Sequence, residues 1–273
     1  VNVNNMAFVG NRNSGLSGGG GIRHANTGTL NVTGSAFVNN DSTGTGGGGI
    51  NNFSTGTVNV TNCTFSGNLA DLGGGVYTQA TGVTNVTNCT LVSNSGGIRN
   101  DSGTVSVKNT IAVGNGTDIS GTVTETTNLT GTLASALLSA LGNYGGTTQT
   151  FALLPGSPAI NAGTASGAPA TDQRGIARPQ QSIMDIGAFE SRGFTLAVNG
   201  GNNQSTTVTS AFANPLSVTV TSSNGEPVNG GQIIFTPPGS NASATIAGNP
   251  ATISSGVATT GTVTANAITG GPY

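Results

Sequence analysis

The 273 residues carry seven Lys or Arg, nine Asp or Glu, one His and two Cys, so any chemistry must come from a sparse set of groups. Glycoside hydrolysis needs two carboxyl groups roughly 5–9.5 Å apart, which in stacked strands means acids at matching positions of neighbouring repeats. Asp41, Asp71, Asp101, Asp118 and Glu125 are the acids of the N-terminal half, and they fall at unmatched positions expected to be loops. A calcium-dependent lyase would need clustered oxygen ligands beside a base. Arg23, Asn51, Tyr77 and Arg99 read as an outward column that supplies bases but no carboxylate cluster. His24 is the only histidine, so a metal triad or a nucleophile–histidine pair lacks partners. No Gly-Lys-Ser/Thr follows the glycine runs, against a phosphate loop. The Asp of the calcium-binding nonapeptide is missing after each run as well. Arg174 and Arg178 lie near Asp172, Asp185 and Glu190 in sequence; structural ion pairs are the expectation, since an Arg–carboxylate fork fixes geometry whatever its net energy. The residues therefore predict no catalytic, cofactor-binding or metal site and no cofactor. The alternative left open is a polysaccharide-binding or polysaccharide-degrading protein using Arg23, Tyr77 and Arg99.

The elements that would position these groups announce themselves as a repeat. VNVNNMAFVGN, LNVTGSAFVNN, VNVTNCTFSGN, TNVTNCTLVSN and VSVKNTIAVGN, starting at Val1, Leu30, Val58, Thr84 and Val105, align without gaps. Val3, Val32, Val60, Val86 and Val107 form one column; Phe8, Phe37, Phe65, Leu91 and Ala112 form another. Between segments recurs a glycine run followed by an aliphatic residue: Gly18–Ile22, Gly46–Ile50, Gly73–Val76, Gly96–Ile98. One such unit cannot bury its apolar face alone, whereas stacked units turn each column into a ladder. A β-sandwich also uses short strands, but it does not require the same residue once per repeat. The pattern predicts an all-β chain with a parallel β-helix over 1–127, rising ~4.8 Å per turn. Asn11, Asn40, Asn68, Asn94 and Asn115 predict a ladder of turn amides, each bonding its counterpart one coil away. Cys63 and Cys89 share a column; their parallel Cβ vectors favour unbonded core thiols over a disulfide.

Composition excludes several classes. Gly, Thr, Asn and Ser make up more than half of the chain, charged residues 6%, and Trp is absent. Seven basic residues cannot neutralise a nucleic-acid track, and no stretch approaches the ~20 apolar residues of a membrane span. Long helices are disfavoured by these residue types; Leu133–Leu141 alone has helical spacing.

The GGGI/GGGV runs paired with FxxN (Phe8–Asn11, Phe37–Asn40, Phe65–Asn68) resemble repeats of polymorphic outer-membrane proteins and related right-handed β-helix surface proteins. That resemblance implies adhesion or surface display. FALLPGSPAINAG, TDQRGIARPQ and DIGAFE, within 141–190, resemble the choice-of-anchor Q module found behind β-helices of secreted bacterial proteins, though the Cys pair common near Ala168 and Met184 is missing. The resemblance makes 128–192 a cap on the open end of the stack. From Gly193, long apolar alternations (Phe194-Leu196-Val198, Leu216-Val218-Val220) and Asn-Gly turns read as an Ig-like sandwich over 193–273. PLSVTVTSSNGEPVNGGQIIF, SSGVAT and GGPY resemble bacterial Ig-like domains of the invasin type, which serve as stalk spacers. Against that family the sandwich reads as one strand short at Tyr273, and Val1 opens in mid-repeat. Truncation of a longer protein, or a strand supplied by a neighbouring chain, accounts for both. The expectation is a non-enzymatic, secreted, cell-surface structural or adhesive protein, a stalk or filament subunit. Its partners would be copies of itself or surface glycans, with no nucleic acid and no membrane span in this segment.

Overall fold

A chain that turns a sharp corner once per repeat needs residues that tolerate φ > 0, and Gly and Asn do so most readily. In the computed structural model, which describes residues 1–15, 18–44 and 46–270, two such corners recur. Asn5, Gly34, Asn62, Asn88 and Asn109 form the first, with φ between 45° and 62°. Gly10, Asn39, Gly67, Ser93 and Gly114 form the second, with φ between 53° and 64°. The expectation placed on Gly271–Tyr273 lies outside the described residues.

Between the corners run short strands that pair with their counterparts one coil away. Sheet I contains Asn2–Asn4, Thr29–Thr33, Thr57–Thr61, Val83–Thr87, Thr104–Lys108 and Val123–Thr126. Sheet II contains Ala7–Val9, Ala36–Val38, Thr64–Ser66, Thr90–Val92, Ile111–Val113 and Leu129–Gly131. Sheet III contains Ile22–His24, Ile50–Asn52, Val76–Thr78, Ile98–Asn100 and Ile119–Ser120, and a three-stranded sheet IV contains Arg12–Asn13, Asp41–Ser42 and Leu69–Ala70. All four are parallel throughout. The chain is thus nearly all β, with long stacks of parallel strands compatible with a parallel β-helix.

Register follows the repeat columns. Val3, Val32, Val60, Val86 and Val107 are successive partners in sheet I; Phe8, Phe37, Phe65, Leu91 and Ala112 are partners in sheet II. The three Phe rings stack with centroids 4.7 Å apart. Together with Ile50, Val76 and Ile98 these columns form one continuous core. The glycine runs let the backbone pass beneath it: a Cβ on Gly49 would stand 2.6 Å from the Gly75 carbonyl oxygen and 2.7 Å from the Phe65 ring.

The segment after the repeats departs from expectation in two ways. Leu133–Leu141 is not one helix: Leu133–Ala136 makes a single turn with Thr132 as its N-cap, and Leu137 ends it at φ 49°. Leu138–Gly142 then pairs antiparallel with Thr150–Leu153. Strand pairing outweighs the helical spacing of the leucines because Leu138 and Leu141 join an apolar cluster across that pairing. Second, the segment only begins at the end of the stack, where Leu129–Gly131 is the last strand of sheet II. It runs back along the flank: Thr148 Oγ1 donates to the Gly34 carbonyl (2.8 Å), Thr64 Oγ1 contacts Thr150 Oγ1 (2.9 Å), and Asn62 Nδ2 donates to the Thr171 carbonyl (2.7 Å). Ala188 N donates to Thr90 Oγ1 (2.9 Å) and Gly187 N to the Asn109 carbonyl (2.8 Å). This strap buries the outer face of sheet II over its middle strands, packing Phe151, Leu153, Ile186 and Phe189 on Val92, Ile111 and Val113, while Val9 in the first strand stays 59% exposed.

The chain divides into two compact units, Val1–Leu153 with Pro158–Ser191, and Leu154–Ser157 with the residues from Arg192 on. The second unit is antiparallel throughout its described strands. Thr195–Gly200, Ser217–Thr221, Val257–Thr259, Ala251–Ser254 and Gln232–Ile233 form a sheet in that order, and Ala244–Ile246 pairs with Val263–Ala265. Its core is small, built on Val220, Ala251, Ile253 and Ala258. The alternation Leu196-Val198 forms a strand, as read, yet both side chains stay 51% and 69% exposed, outside the small core of the unit.

Candidate functional site

Sheet III positions the column of Arg23, Asn51, Tyr77 and Arg99, whose residues are register partners one coil apart. It is not the open face the spacing suggests. Asn51 is fully buried and Tyr77 is 1% exposed, because the glycine runs fold back over the sheet and bring Gly73 against the Tyr77 Cβ. The Tyr77 hydroxyl donates a short hydrogen bond to the Asp101 carboxylate, which also pairs with Arg99 Nε at 2.7 Å. Burial and that carboxylate push the Tyr77 phenol well above its ordinary range. Burial opposes ionisation of Asp101, but its hydrogen bonds from Tyr77 and Arg99 outweigh that and hold the carboxyl below its usual value. Arg23 stacks on the Phe53 ring with its guanidinium carbon 4.4 Å from the centroid. Beside Arg99 opens a polar cleft of about 320 Å³, lined by Asp71, Ser95, Thr117 and Ser120.

The acids are dispersed, as their sequence positions indicate, though not all in loops. Asp41 opens a short strand and faces Arg12 at 3.3 Å. Asp118 Oδ1 accepts from Asn115 Nδ2 (2.9 Å) and Oδ2 accepts from Gly131 N (2.8 Å). Glu125 lies in a strand and continues the valine column as the partner of Val107, accepting from Asn128 Nδ2 at 3.3 Å. A charge at that inward position ends the apolar ladder, a device that discourages further strand pairing. His24 Nε2 lies 3.0 Å from the Gly28 carbonyl oxygen. No group of three or more His, Cys, Asp or Glu able to hold a metal occurs among the described residues.

Cys63 and Cys89 are free and buried. Each takes part in a corner ladder in which the side chain of one coil accepts from the backbone of the preceding one. Ser35 N donates to Cys63 Sγ (3.4 Å), Cys63 N to Cys89 Sγ (3.4 Å) and Cys89 N to Thr110 Oγ1 (3.3 Å). Burial pushes the Cys89 thiol upward, so it is a poor nucleophile.

In the strap, the charges that cluster in sequence do meet. Arg178 pairs with Glu190 at 2.6 Å and Arg174 with Asp172 at 2.7 Å, all four nearly water-free. Arg174 also lies over the Phe189 ring, 3.5 Å from its centroid. Asp185 accepts from Asn161 N (2.7 Å) and Ser191 N (2.6 Å). Burial, with Glu190 close by, raises its carboxyl to about 7. Burial lowers the Arg178 guanidinium from its ordinary value, against the pull of the carboxylates. The network closes the loop 172–190 on itself: Asp185 N donates to Glu190 Oε2 and Glu190 N to Asp172 Oδ2.

The surface that column-by-column reasoning about catalysis passed over is the outer face of sheet I. Its strands alternate buried and accessible residues, with Thr29, Asn31, Thr33, Thr57, Asn59, Thr61, Asn85 and Thr87 pointing outward. Asn31 Nδ2 donates to Asn2 Oδ1 (2.8 Å), Asn59 Nδ2 to Asn31 Oδ1 (2.8 Å) and Asn85 Nδ2 to Asn59 Oδ1 (2.9 Å). The signal was present as T-x-N-x-T at Thr29–Thr33 and Thr57–Thr61. No protein-family model, curated protein or solved structure matches this chain.

Proposed function

We propose that the protein is a non-enzymatic, extracellular structural or adhesive component of a cell surface, a stalk or filament subunit. Within this reading the parallel stack is a right-handed β-helix of the kind suggested by its polymorphic-outer-membrane-protein-like repeats. The strap is a choice-of-anchor Q-like module, and the second unit an invasin-type Ig-like spacer. The observation that carries the reading is what the solenoid acids do. Asp41, Asp101, Asp118 and Glu125 sit in four different settings and each bonds a structural partner, which supports a structural use of these four acids. Partners are copies of the chain, through strand edges or stack ends, or surface glycans.

A second reading, polysaccharide binding or degradation, draws on the cleft between Asp71 and Arg99. A panel of uronic-acid and neutral glycans separates the two. The structural reading expects neither turnover nor saturable binding that depends on Arg99; either one, abolished by Arg99→Ala, overturns it. Electron microscopy of the native material tests the filament, with regular fibres expected and dispersed single particles counting against self-assembly.

A further inference from the structure

Sheet I is a six-stranded parallel sheet whose outer residues are accessible. The strap covers the middle strands of sheet II, and the glycine runs cover the middle of sheet III, where Asn51 and Tyr77 are buried. What sheet I presents is a two-dimensional array. One outward column runs Thr33, Thr61, Thr87; a second runs Asn2, Asn31, Asn59, Asn85; a third starts Thr29, Thr57. Rows repeat at the strand separation of ~4.8 Å, and columns at roughly 6.7 Å, the rise of two residues.

Two features make the array rigid. The asparagine column is a side-chain ladder that ties neighbouring strands together, bonded from Asn85 through Asn59 and Asn31 to Asn2. The inward residues of the same strands, Val58, Val60 and Val86, are fully buried and fix the sheet from beneath. The face is also uncharged: across Thr29–Thr33, Thr57–Thr61 and Val83–Thr87 every outward residue is Thr, Asn or Val, and Lys108 enters only in the next strand.

We propose that this face binds ice. The ligand must share the array's periodicity in two directions, carry no charge, and be recognised by repeated weak contacts from hydroxyl, amide and methyl groups rather than by one strong site. A neutral lattice of hydrogen-bonding water meets all three conditions, and its two short repeats lie close to the rows and columns of the sheet. Water held in register on the Thr hydroxyls bridges protein to lattice about as well as direct bonds, and many such contacts acting together give lasting attachment. Charge complementarity argues the same way, since a polyelectrolyte partner would find no opposite charge here. A crystalline polysaccharide would call for aromatic platforms, and the outward residues of these three strands include none.

The proposal rests on the adhesive reading above and names the surface adhered to. Its test is thermal hysteresis and ice-crystal shaping by the full 273-residue chain, compared with Thr61→Tyr and Thr87→Tyr, which place a bulky ring inside the array. Thr252→Tyr, on an exposed strand position of the second unit, is the control. The expected result is faceted crystals and a hysteresis gap for the parent and the control, lost in both array variants at unchanged melting temperature of the protein. Absence of shaping by the parent, or full activity in both array variants, overturns the proposal. So does retention on crystalline cellulose or chitin without any effect on ice, which would leave the broader adhesive reading intact. Hysteresis together with glycan turnover that requires Arg99 would overturn that broader reading and leave this one standing.

Discussion

At the scale of single residues, the side chains that looked like chemistry serve as joints. Asn68 shows how. Its Oδ1 accepts from both Asn40 N and Asn40 Nδ2, while its Nδ2 donates to Asn94 Oδ1 and the Phe37 carbonyl. Asn68→Ala strands several buried polar groups at about 1–3 kcal/mol each, so urea denaturation should show a loss of several kcal/mol in the first unit. Asn11→Ala, at the accessible end of the same ladder, should cost much less. Asp185 gives a pH dependence of definite sign. Its carboxyl stands at about 7 in the folded chain, above the unfolded value near 3.9. The folded state therefore binds the proton more tightly, so this contribution is fully present below about pH 3.9 and declines as pH rises through 7. Melting temperature of the first unit should fall between those limits, and Asp185→Asn should flatten the profile.

At the scale of elements, the strap decides which surfaces exist. Gly187 lies at φ +100°, and a Cβ there would stand 2.6 Å from Ile111 Cδ1. Gly187→Ala combines backbone strain with a steric conflict, and its neighbours Ile186 and Phe189 anchor the strap's apolar contacts. Limited proteolysis should then cut within 161–190 well before the parallel stack is degraded; cleavage unchanged from the parent would mean that the strap holds without this contact. The stack itself is held by its columns. Phe37 sits between Phe8 and Phe65 in the ring stack, and Phe37→Ala should cost about 3–5 kcal/mol with no effect on the fold of the second unit. The columns were legible in sequence because each stacking residue meets its own copy one repeat later. The helical spacing of Leu133–Leu141 misleads for the opposite reason, since its second half answers to the next strand, Thr150–Leu153, in a hairpin that occurs once and has no copy in the repeat.

At the scale of the whole molecule, two units with separate cores should melt as two transitions in calorimetry. Ile253→Ala, at a fully buried position of the second, should lower one transition by about 2–5 kcal/mol and leave the other unmoved. The sequence by itself determined the repeat, the register of its apolar columns, the asparagine ladder and the left-handed corners that Gly and Asn allow. It could do so because these features are periodic, and each copy reinforces the reading of the next. Only the tertiary structure decided which outer faces meet water. The contacts that close sheet II join Thr64 to Thr150, Asn62 to Thr171 and Gly34 to Thr148, residues 86, 109 and 114 positions apart. Such pairings occur once and repeat nowhere, so no period announces them. For the same reason Tyr77 looked exposed and is buried, while the Thr and Asn of sheet I, unremarkable in a chain rich in both, are the ones left open.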